Sequence, residues 1–508
     1  MKLESIRPTA GAHTQVDTMG TPGGSGPVVG RAKRWRRQGG GMILLCILAV
    51  AIVYVHSASS YGKSLTPYSS TERFNFNFEN RVASSLLAHQ LSLNVKTPRG
   101  LLQLRDPYDP RANARYRGKS KIHDLSLYKG KLYSYFGPAP AILLYIPFRA
   151  LGIGQLSPTL ATLIFFAVGF LFSIALFRLL VRWCWRRIPI WIHCIAVVAL
   201  GLGVPSAWAI YIGRDYEATI GCAYMLLFAG VYFLARGTLV GSSRTYLALG
   251  SGALGLAVAT RPTMIVAGAF VLVAAVFVSR AGFDNRRRNT SLAALLAPYL
   301  TIAVLIALYN YARFDSITEF GQSYQLAGFN ARTYRYGSIT FLPKGIFYYL
   351  FSPGRLTSAF PYLFLRKSTL DLPRLLQNRG YHNEPVAGIF TNMPAAAAGY
   401  VLLLTRLRSV ARRFPRALVM LVVLLIPAVS VLVLISYQYR GTTMRYELDF
   451  APLIVMGSLL AWVAWNRSVS RPSRLVGIGN GLFLAAVTAT IAFNLAITLT
   501  PCKGTGSC

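Results

Sequence analysis

The feature that most constrains this chain is its succession of long apolar stretches. Several runs of roughly 18 or more residues carry almost no charge, and the first reads GMILLCILAVAIVYVHSA over residues 41–58. A helix of such composition matches the hydrocarbon thickness of a bilayer. Only 14% of the residues are charged, whereas soluble proteins contain about a quarter. The sequence therefore predicts an all-α polytopic membrane protein.

The positions of the spans follow from these apolar runs. After residues 41–58, further candidate spans lie near 157–178, 189–210, 217–235, 246–260, 263–279, 291–312, 387–405, 417–436, 450–465 and 475–499. Short loops that join them are rich in arginine, at residues 177–187, 279–288, 405–416 and 466–474. Short basic loops, like the basic tail before residue 41, are expected in the cytoplasm.

One ambiguous segment decides the topology. KLYSYFGPAPAILLYIPFRALGIG, residues 131–154, is apolar but contains Pro138, Pro140 and Pro147. If it crossed the membrane, all four arginine loops would lie opposite the basic tail. If it does not cross, they lie on the same side, with about eleven transmembrane helices, the N-terminus in and the C-terminus out. The segment is therefore predicted to lie on, or dip into, the outer leaflet.

This topology divides the chain into five parts. They are a disordered basic cytoplasmic tail (1–40), a transmembrane module (41–312) with a large outer loop (58–156), a second extracytoplasmic region (313–386), C-terminal transmembrane helices (387–500) and a short outer tail (501–508). No early apolar run precedes residue 41, so no cleavable signal peptide is expected. A disulfide between Cys502 and Cys508 is left open.

The charge distribution points to the outer face. Only Glu4, Asp17 and Asp284 of the 16 acidic residues fall on the cytoplasmic side. The net charge of +37 would suit nucleic acid, but most of it lies in short loops beside apolar segments. Orientation and attraction to anionic lipid explain that placement better. The cations of the long first loop favour contact with phosphate, either that of lipid head groups or that of a lipid-phosphate substrate.

The first outer loop supplies several acids. In DPYDP, Asp106 and Asp109 stand three apart in a proline-bounded turn that either aims two carboxylates at one point or is an ordinary surface turn. Asp124 precedes a tyrosine-rich run containing Tyr133, whose rings could anchor at the membrane interface or stack on sugars. Glu79 begins a predicted helix, FENRVASSLLAHQLSL over 78–93, that has an apolar face and is expected to lie along the membrane. Its carboxylate either favours the helix N-terminus or acts in chemistry.

Short turns between spans hold further charges. IYIGRDYEATIG places Arg214, Asp215 and Glu217 near the bilayer surface, where charges are costly unless paired or functional. Arg261 lies in ATRPTMIV and Arg445 and Tyr446 in MRYELDF. The positive-inside rule disfavours arginines in short outer turns, so these arginines need another reason to be there. They are expected to bind either a phosphate or an acid such as Asp215 or Asp449.

The second long outer region begins with YNYARFDSITEFGQSYQLAG, which holds Glu319. This carboxylate either contacts a sugar or acceptor or caps a helix. The sequence contains no Walker A, GxGxxG, HExxH or GxSxG pattern, and its six histidines do not suggest a zinc site. No cofactor is assigned, although DPYDP leaves a divalent cation open.

The order of elements resembles the GT-C superfamily of integral-membrane glycosyltransferases, which includes dolichyl-phosphate-mannose protein mannosyltransferases and bacterial aminoarabinose transferases. The resemblance rests on one span, a large acidic outer loop, GPAPAILLYIPFRALG, an arginine-rich span end (SIALFRLLVRW) and the acidic turn GRDYEA. DPYDP, SLYKGKLYSYFGPAP and RYELDF add to it. One departure is that the best-known members carry an acidic pair or similar acid soon after the first span, where this chain has the single Glu79.

The resemblance implies transfer of a sugar from a polyprenyl-phosphate carrier to a glycan, lipid or protein acceptor outside the cytoplasm, in a bacterial inner membrane. A carboxylate would act as base, with Glu79, Asp106, Asp124 and Asp215 as candidates. The candidates for substrate binding are Asp109, Tyr133, Arg214, Glu217, Arg261, Glu319, Arg445 and Tyr446. A lipid-linked sugar flippase or transporter and an O-antigen-type polymerase are the alternatives. No nucleic-acid partner is expected.

Overall fold

The computed structural model describes residues 27–60, 65, 77–119, 122–185, 187–241, 243–334, 336–356, 358, 360, 362–365, 381–469 and 474–499. Residues 1–26 of the predicted tail, and Cys502 and Cys508, lie outside this set. Helix α1 begins at Pro27, inside the segment predicted to be disordered. Once a membrane span has nucleated a helix, each further residue costs little to add, which explains this extension.

Within these residues the helices are α1 (Pro27–Ser59), α2 (Phe78–Leu87), α3 (Arg99–Leu102), α4 (Ala114–Lys119), α5 (Ile146–Ala150), α6 (Pro158–Cys184), α7 (Ile190–Leu202), α8 (Ser206–Ile212), α9 (Asp215–Leu239), α10 (Arg244–Thr260), α11 (Gly268–Ser279), α12 (Asn285–Phe314), α13 (Leu342–Phe351), α14 (Ile389–Asn392), α15 (Ala395–Thr405), α16 (Leu407–Arg413), α17 (Pro415–Gln438), α18 (Ala451–Arg467) and α19 (Arg474–Thr498). Short 3₁₀ segments lie at Pro262–Ala267, Gln322–Tyr324 and Met444–Asp449, and a π-helical turn lies at Ala141–Tyr145.

Among the described residues, eight helices are long and apolar enough to cross a membrane. They are Gly40–Ser59, Pro158–Cys184, Ile190–Ile212, Asp215–Leu239, Pro262–Ser279, Asn285–Phe314, Pro415–Gln438 and Arg474–Thr498. The chain is thus a multi-pass, mostly helical protein.

The other three predicted spans are shorter helices. Helices α10 and α18 have 17 residues each and α15 has 11. At 1.5 Å per residue these are about 26 Å and about 17 Å long, less than the roughly 30 Å hydrocarbon core. The count of about eleven crossings and the orientation of the termini therefore stay predictions.

The segment 131–154 contains no long helix. Its first residues form strand β2 (Lys131–Tyr133), which pairs antiparallel with β1 (Ser126–Tyr128). The helical part, Ala141–Ala150, has a length of about 15 Å, too short to cross a bilayer. Arg149 of this segment donates a hydrogen bond to the hydroxyl of Ser84 in α2, and Asn77 and Asn80 donate to the carbonyl of Leu156 just after it. The segment is thereby attached to α2.

Two further strand pairs shape the second outer region. Strands β3 (Arg355–Leu356) and β4 (Leu363–Phe364) are antiparallel, while β5 (His382–Asn383) runs parallel to β6 (Gly441–Thr442). The pairing of β5 with β6 continues in a hydrogen bond from the Glu384 amide to the carbonyl of Thr442. Residues that are far apart in sequence are thereby placed side by side just before Arg445.

The helices pack around α18, which is buried along nearly its whole length. Its Trp462 stacks on Phe483 of α19 with ring centroids 4.3 Å apart. Helices α6 and α9 begin, and α10, α12 and α17 end, at the same end of this bundle, because successive antiparallel helices alternate in direction. The arginine-rich connections 178–187, 279–288 and 405–416 lie at the other end.

One close backbone contact fixes this arrangement. Gly137, in the segment 131–154, packs directly against the last turn of α10, so that a Cβ atom placed on it would overlap the carbonyl group of Ala259. Glycine permits backbones to approach in this way because it has no side chain. The segment is thereby held against the C-terminal end of α10.

Candidate active site

A large cavity lies where these helix ends meet. Its volume is about 1160 Å³. It is bounded by the first turn of α9, the end of α10, residues 318–336 of the second outer region and residues 438–446 after α17. The predicted site residues Asp124, Arg214, Asp215, Arg261, Glu319, Arg445 and Tyr446 line it.

Two acids form a buried pair at one wall. Asp215 is the first residue of α9, and its carboxylate lies near the backbone N–H groups of Phe78 and Glu79. Thr219, one turn along α9, donates its hydroxyl to Glu79 Oε1 at 3.3 Å. Helix α2, which Asn77 caps, thus presents Glu79 to α9.

The pair is electrostatically unusual. Burial, reinforced by the charge of Asp215, raises the pKa of Glu79 to about 8 from an ordinary value of 4.5. Within the described structure, neither Glu79 Oε2 nor Asp215 Oδ1 has a hydrogen-bond partner, although both are buried. The charge of Arg81 lies close enough to act on Asp215. Unsatisfied buried carboxylate oxygens are costly, so they mark a place where a ligand group is expected.

A third acid faces the cavity from the first outer loop. Asp124 is 15% exposed and has a left-handed backbone conformation, with φ at 63°. Its amide donates to the carbonyl of Leu326, and Tyr216 donates its hydroxyl to Asp124 Oδ2. The Nε2 atom of His123 lies 3.7 Å from Asp124 Oδ1. The left-handed region is uncommon for residues other than glycine, and such conformations often occur at binding sites. We refer to Glu79, Asp124 and Asp215 as the acidic group.

Arginines and acids form a second set, which we call the ion-paired group. The Nη2 atom of Arg261 lies 2.9 Å from Asp449 Oδ2. Arg445 Nη2 is 2.8 Å from both oxygens of Glu384, and Arg445 Nη1 is 3.7 Å from Glu217 Oε1. Burial raises the pKa of Asp449 to about 6, although the charge of Arg261 opposes the rise. Arg261 therefore has the acidic partner that was the alternative to phosphate binding.

The tyrosines of the cavity hold these arginines in place. The guanidinium of Arg261 lies 4.9 Å from the ring centre of Tyr446, and that of Arg445 lies 4.9 Å from the ring centre of Tyr216. Cations over aromatic faces are stabilised electrostatically. Tyr216 thus links the two groups, since it contacts Arg445 with its ring and Asp124 with its hydroxyl.

Arg214 differs from Arg261 and Arg445, which are paired with acids. It caps α9, and its backbone N–H donates to Glu217 Oε2 at 3.3 Å. Its side chain is exposed, and no carboxylate of the described residues forms an ion pair with it. An arginine in this state is suited to bind a phosphate.

Five predicted residues are not among those that line the cavity, namely Glu79, Asp106, Asp109, Tyr133 and Glu217. Asp106 accepts a hydrogen bond from the amide of Tyr108 and another from the side chain of Asn330, and Asp109 accepts one from the amide of Arg111. The bonds from Tyr108 and Arg111 are those of an ordinary surface turn, which is one of the two interpretations of DPYDP that the sequence allows. Tyr133 packs against Phe314, with ring centroids 5.3 Å apart. Glu319 does line the cavity, but its Oε1 accepts the amides of Gly321 and Ser323, so it also serves as a cap.

Several cavity residues carry no local sequence signal. Glu384 is 61 residues from Arg445, and only the β5–β6 pairing brings them together. Tyr334, Tyr336 and Tyr439 line the cavity from irregular segments. Tyr216 could have been identified, because it stands between Asp215 and Glu217 at the start of a helix.

The structure offers no metal site in the part of the chain that it describes. No group of three or more His, Cys, Asp and Glu side chains is placed to hold an ion there. The carboxylates of DPYDP, which the sequence left open as ligands, are engaged in the turn bonds described above.

No family model matches the chain, and no curated protein matches its sequence. Among solved structures, it is similar to the Archaeoglobus fulgidus oligosaccharyltransferase in its apo form, with 14% identity, a TM-score of 0.49, and coverage of 91% of this chain and 57% of that one. It is also similar to ArnT from Cupriavidus metallidurans bound to undecaprenyl phosphate, with 13% identity, a TM-score of 0.42, and coverage of 90% and 75%. These neighbours are GT-C membrane glycosyltransferases. The chain spans little more than half the length of the archaeal enzyme, and TM-scores below 0.5 do not by themselves establish a common fold.

Proposed function

We propose that this chain is a membrane glycosyltransferase that moves a sugar from a polyprenyl-phosphate carrier to an acceptor outside the cytoplasm. The observation that carries the proposal is the placement of Asp215 beside Arg214 in one large cavity at the ends of membrane-spanning helices. Asp215 offers a proton acceptor, and Arg214 offers a cation, unpaired among the described residues, that can bind a phosphate. The motif resemblance given above supports the same chemistry.

The reaction requires little of the protein because a sugar-1-phosphate already has a good leaving group. The acceptor hydroxyl attacks the anomeric carbon, the bond from that carbon to the phosphate oxygen breaks, and polyprenyl phosphate leaves with the bonding electrons. The hydroxyl proton passes to the carboxylate of Asp215, which lines the cavity and has a buried oxygen without a partner. A correctly placed base of this kind accounts for roughly 10²–10⁴ in rate.

The neighbouring residues take supporting roles in this proposal. Glu79 is not among the residues that line the cavity, and its Oε1 is within hydrogen-bond distance of Thr219, so in this proposal it supports Asp215 and is not itself the base. Arg214 receives the developing charge on the leaving phosphate. Asp124, held by Tyr216, binds a hydroxyl of the sugar, while Arg445 and Tyr446 bound the space beside it.

The finer assignments rest on the resemblance. The proposal includes a hexose or pentose as the transferred group and a cell-envelope glycan, lipid or protein as the acceptor. It also includes the bacterial inner membrane as the location. The cavity volume of about 1160 Å³ is enough for a sugar phosphate and an acceptor group together.

The test uses the purified full chain in lipid vesicles with a panel of undecaprenyl-phosphate sugars labelled in the sugar. Release of the sugar to water or to an added membrane extract reports cleavage of the anomeric bond without knowledge of the acceptor. We expect cleavage by the wild type, a loss of about 1000-fold in Asp215→Asn, and near-normal rates in the matched variant Asp109→Asn.

Two outcomes would overturn the proposal. Equal cleavage by Asp215→Asn and Asp109→Asn would remove the assigned base. Movement of the intact lipid-linked sugar across the vesicle membrane, without cleavage, would show the flippase alternative instead.

A further inference from the structure

A second cavity lies at the other end of the bundle. Its volume is about 550 Å³, and it lies between the C-terminal ends of α6 and α9. Helix α9 begins at the large cavity and ends at this second cavity, so the two cavities lie at opposite ends of the same helix. Under the predicted orientation, this second cavity lies in the cytoplasmic leaflet.

Three arginines line it, and we call it the arginine pocket. Arg178 and Arg182 are four residues apart on α6, hence on one face of the helix, and Arg236 faces them from α9. Like charges at this spacing repel each other. Within the described part of the chain, no carboxylate forms an ion pair with any of the three.

Orientation alone does not account for this pocket. Arginines near a helix C-terminus and beside the cytoplasmic surface are favoured by the helix dipole and by the positive-inside rule. Those effects place the charges on this end of the bundle. They do not require that three guanidinium groups converge on one cavity without a counter-charge.

The remaining walls suit a lipid. Trp183 and Tyr232 bring amphipathic rings to the pocket, as is usual at the level of lipid headgroups. Val240, also in the wall, is 50% exposed on the outside of the bundle. The ring of Trp183 lies 5.3 Å from the guanidinium group of Arg416. The ring of Tyr246 lies 5.7 Å from the guanidinium group of Arg236, which helps to hold that side chain in place.

We propose that the arginine pocket binds the phosphate headgroup of an anionic phospholipid from the cytoplasmic leaflet. The phosphate lies among Arg178, Arg182 and Arg236, and the acyl chains leave the pocket past the exposed apolar wall. Basic pockets between transmembrane helices are suited to such headgroups. This site is separate from the proposed sugar transfer and can be tested without it.

The test measures lipid binding to the purified full chain in detergent by native mass spectrometry. A comparison of phosphatidylglycerol with phosphatidylcholine, both with identical acyl chains, isolates the effect of the lipid's net charge. Added inorganic phosphate tests whether a free anion competes with the lipid for the pocket. We expect one phosphatidylglycerol bound per chain, at least tenfold more tightly than phosphatidylcholine, with no displacement by inorganic phosphate.

Variants locate the site. An arginine near anionic lipid contributes roughly a fivefold change in affinity, so Arg178→Gln with Arg236→Gln should weaken binding about 25-fold. Arg178→Lys with Arg236→Lys should retain most of the affinity. The matched control, Arg280→Gln with Arg286→Gln, removes the same charge from exposed positions at the same end of the bundle and should leave binding unchanged.

Three results would overturn the proposal. They are equal affinity in the wild type and in the Arg178→Gln, Arg236→Gln variant, an equal loss in the control, and displacement of the lipid by inorganic phosphate. If the double variant does not fold, Arg182→Gln at an exposed position gives the same test, with about a fivefold loss expected.

Discussion

The acidic group and the ion-paired group meet at one large cavity but differ in whether their acids form ion pairs with arginine. In the ion-paired group, Arg261 and Arg445 each meet a carboxylate at 2.8–2.9 Å. In the acidic group, Glu79 and Asp215 are buried, yet each keeps an oxygen without a hydrogen-bond partner among the described residues. Acids that face an arginine are compensated in charge, whereas Glu79 and Asp215, which form no ion pair among the described residues, are placed to meet a ligand group. The contrast separates residues that shape the cavity from residues that act in it.

The largest expected effect concerns the ion-paired group. Arg261→Gln leaves Asp449, which is 1% exposed, without its positive partner. Removing one member of a buried pair costs about 3–5 kcal/mol of unfolding free energy. Thermal unfolding of the purified protein should show this loss, and Arg261→Gln combined with Asp449→Asn should recover most of it. A loss in the double variant as large as in the single one would mean that the pair does not stabilise the fold.

A change in the acidic group should affect catalysis and leave stability nearly unaltered. Asp124→Asn weakens a charged hydrogen bond to the sugar, a contribution of about 1.5–3 kcal/mol, so kcat/KM should fall roughly 10- to 150-fold. The vesicle assay measures the rate, and thermal unfolding measures the stability. Asp106→Asn, whose carboxylate bonds only within the loops outside the cavity, is the matched control. If both variants were equally active, Asp124 would have no role in binding.

The raised pKa of Glu79 predicts a dependence of stability on pH. The folded protein keeps this proton up to about pH 8, while an unfolded chain releases it near 4.5, so the folded state binds more protons between these values. The contribution of Glu79 to stability therefore falls as pH rises through this window, by up to roughly 1.4 kcal/mol per pH unit. Glu79→Gln should remove this contribution, so the variant gains stability relative to the wild type from pH 5 to pH 8. A constant difference in thermal stability across that range would contradict the assignment.

The smallest expected effect is that of Arg214→Gln. Because the side chain is exposed, its interaction with a phosphate is screened and contributes about 1 kcal/mol, or roughly fivefold. We expect the KM for the lipid-linked donor to rise by this factor, and the effect to shrink at high salt. Arg332→Gln, another exposed arginine of the outer region, serves as the control. An unchanged KM would place the phosphate elsewhere in the cavity.

The sequence indicates the helices better than the site. The apolar runs reveal the spans because membrane insertion depends on local composition, and Asp215 and Arg261 could be identified as charges in short turns. The lengths of α10, α15 and α18 could not, since helix ends depend on packing. The contact of Glu79 with Thr219 spans 140 residues, and the pairing of Glu384 with Arg445 depends on two short strands. Such convergence is a property of the folded chain and leaves no periodic pattern.

The contact between Gly137 and the end of α10 has a consequence for related sequences. Any residue other than glycine at this position would collide with the carbonyl group of Ala259, and the neighbouring Phe136 and Thr260 would move apart. Both line the large cavity, so the collision would change its shape. We therefore expect a related chain with the same close backbone approach to carry glycine at this position, whichever charged residues surround its cavity.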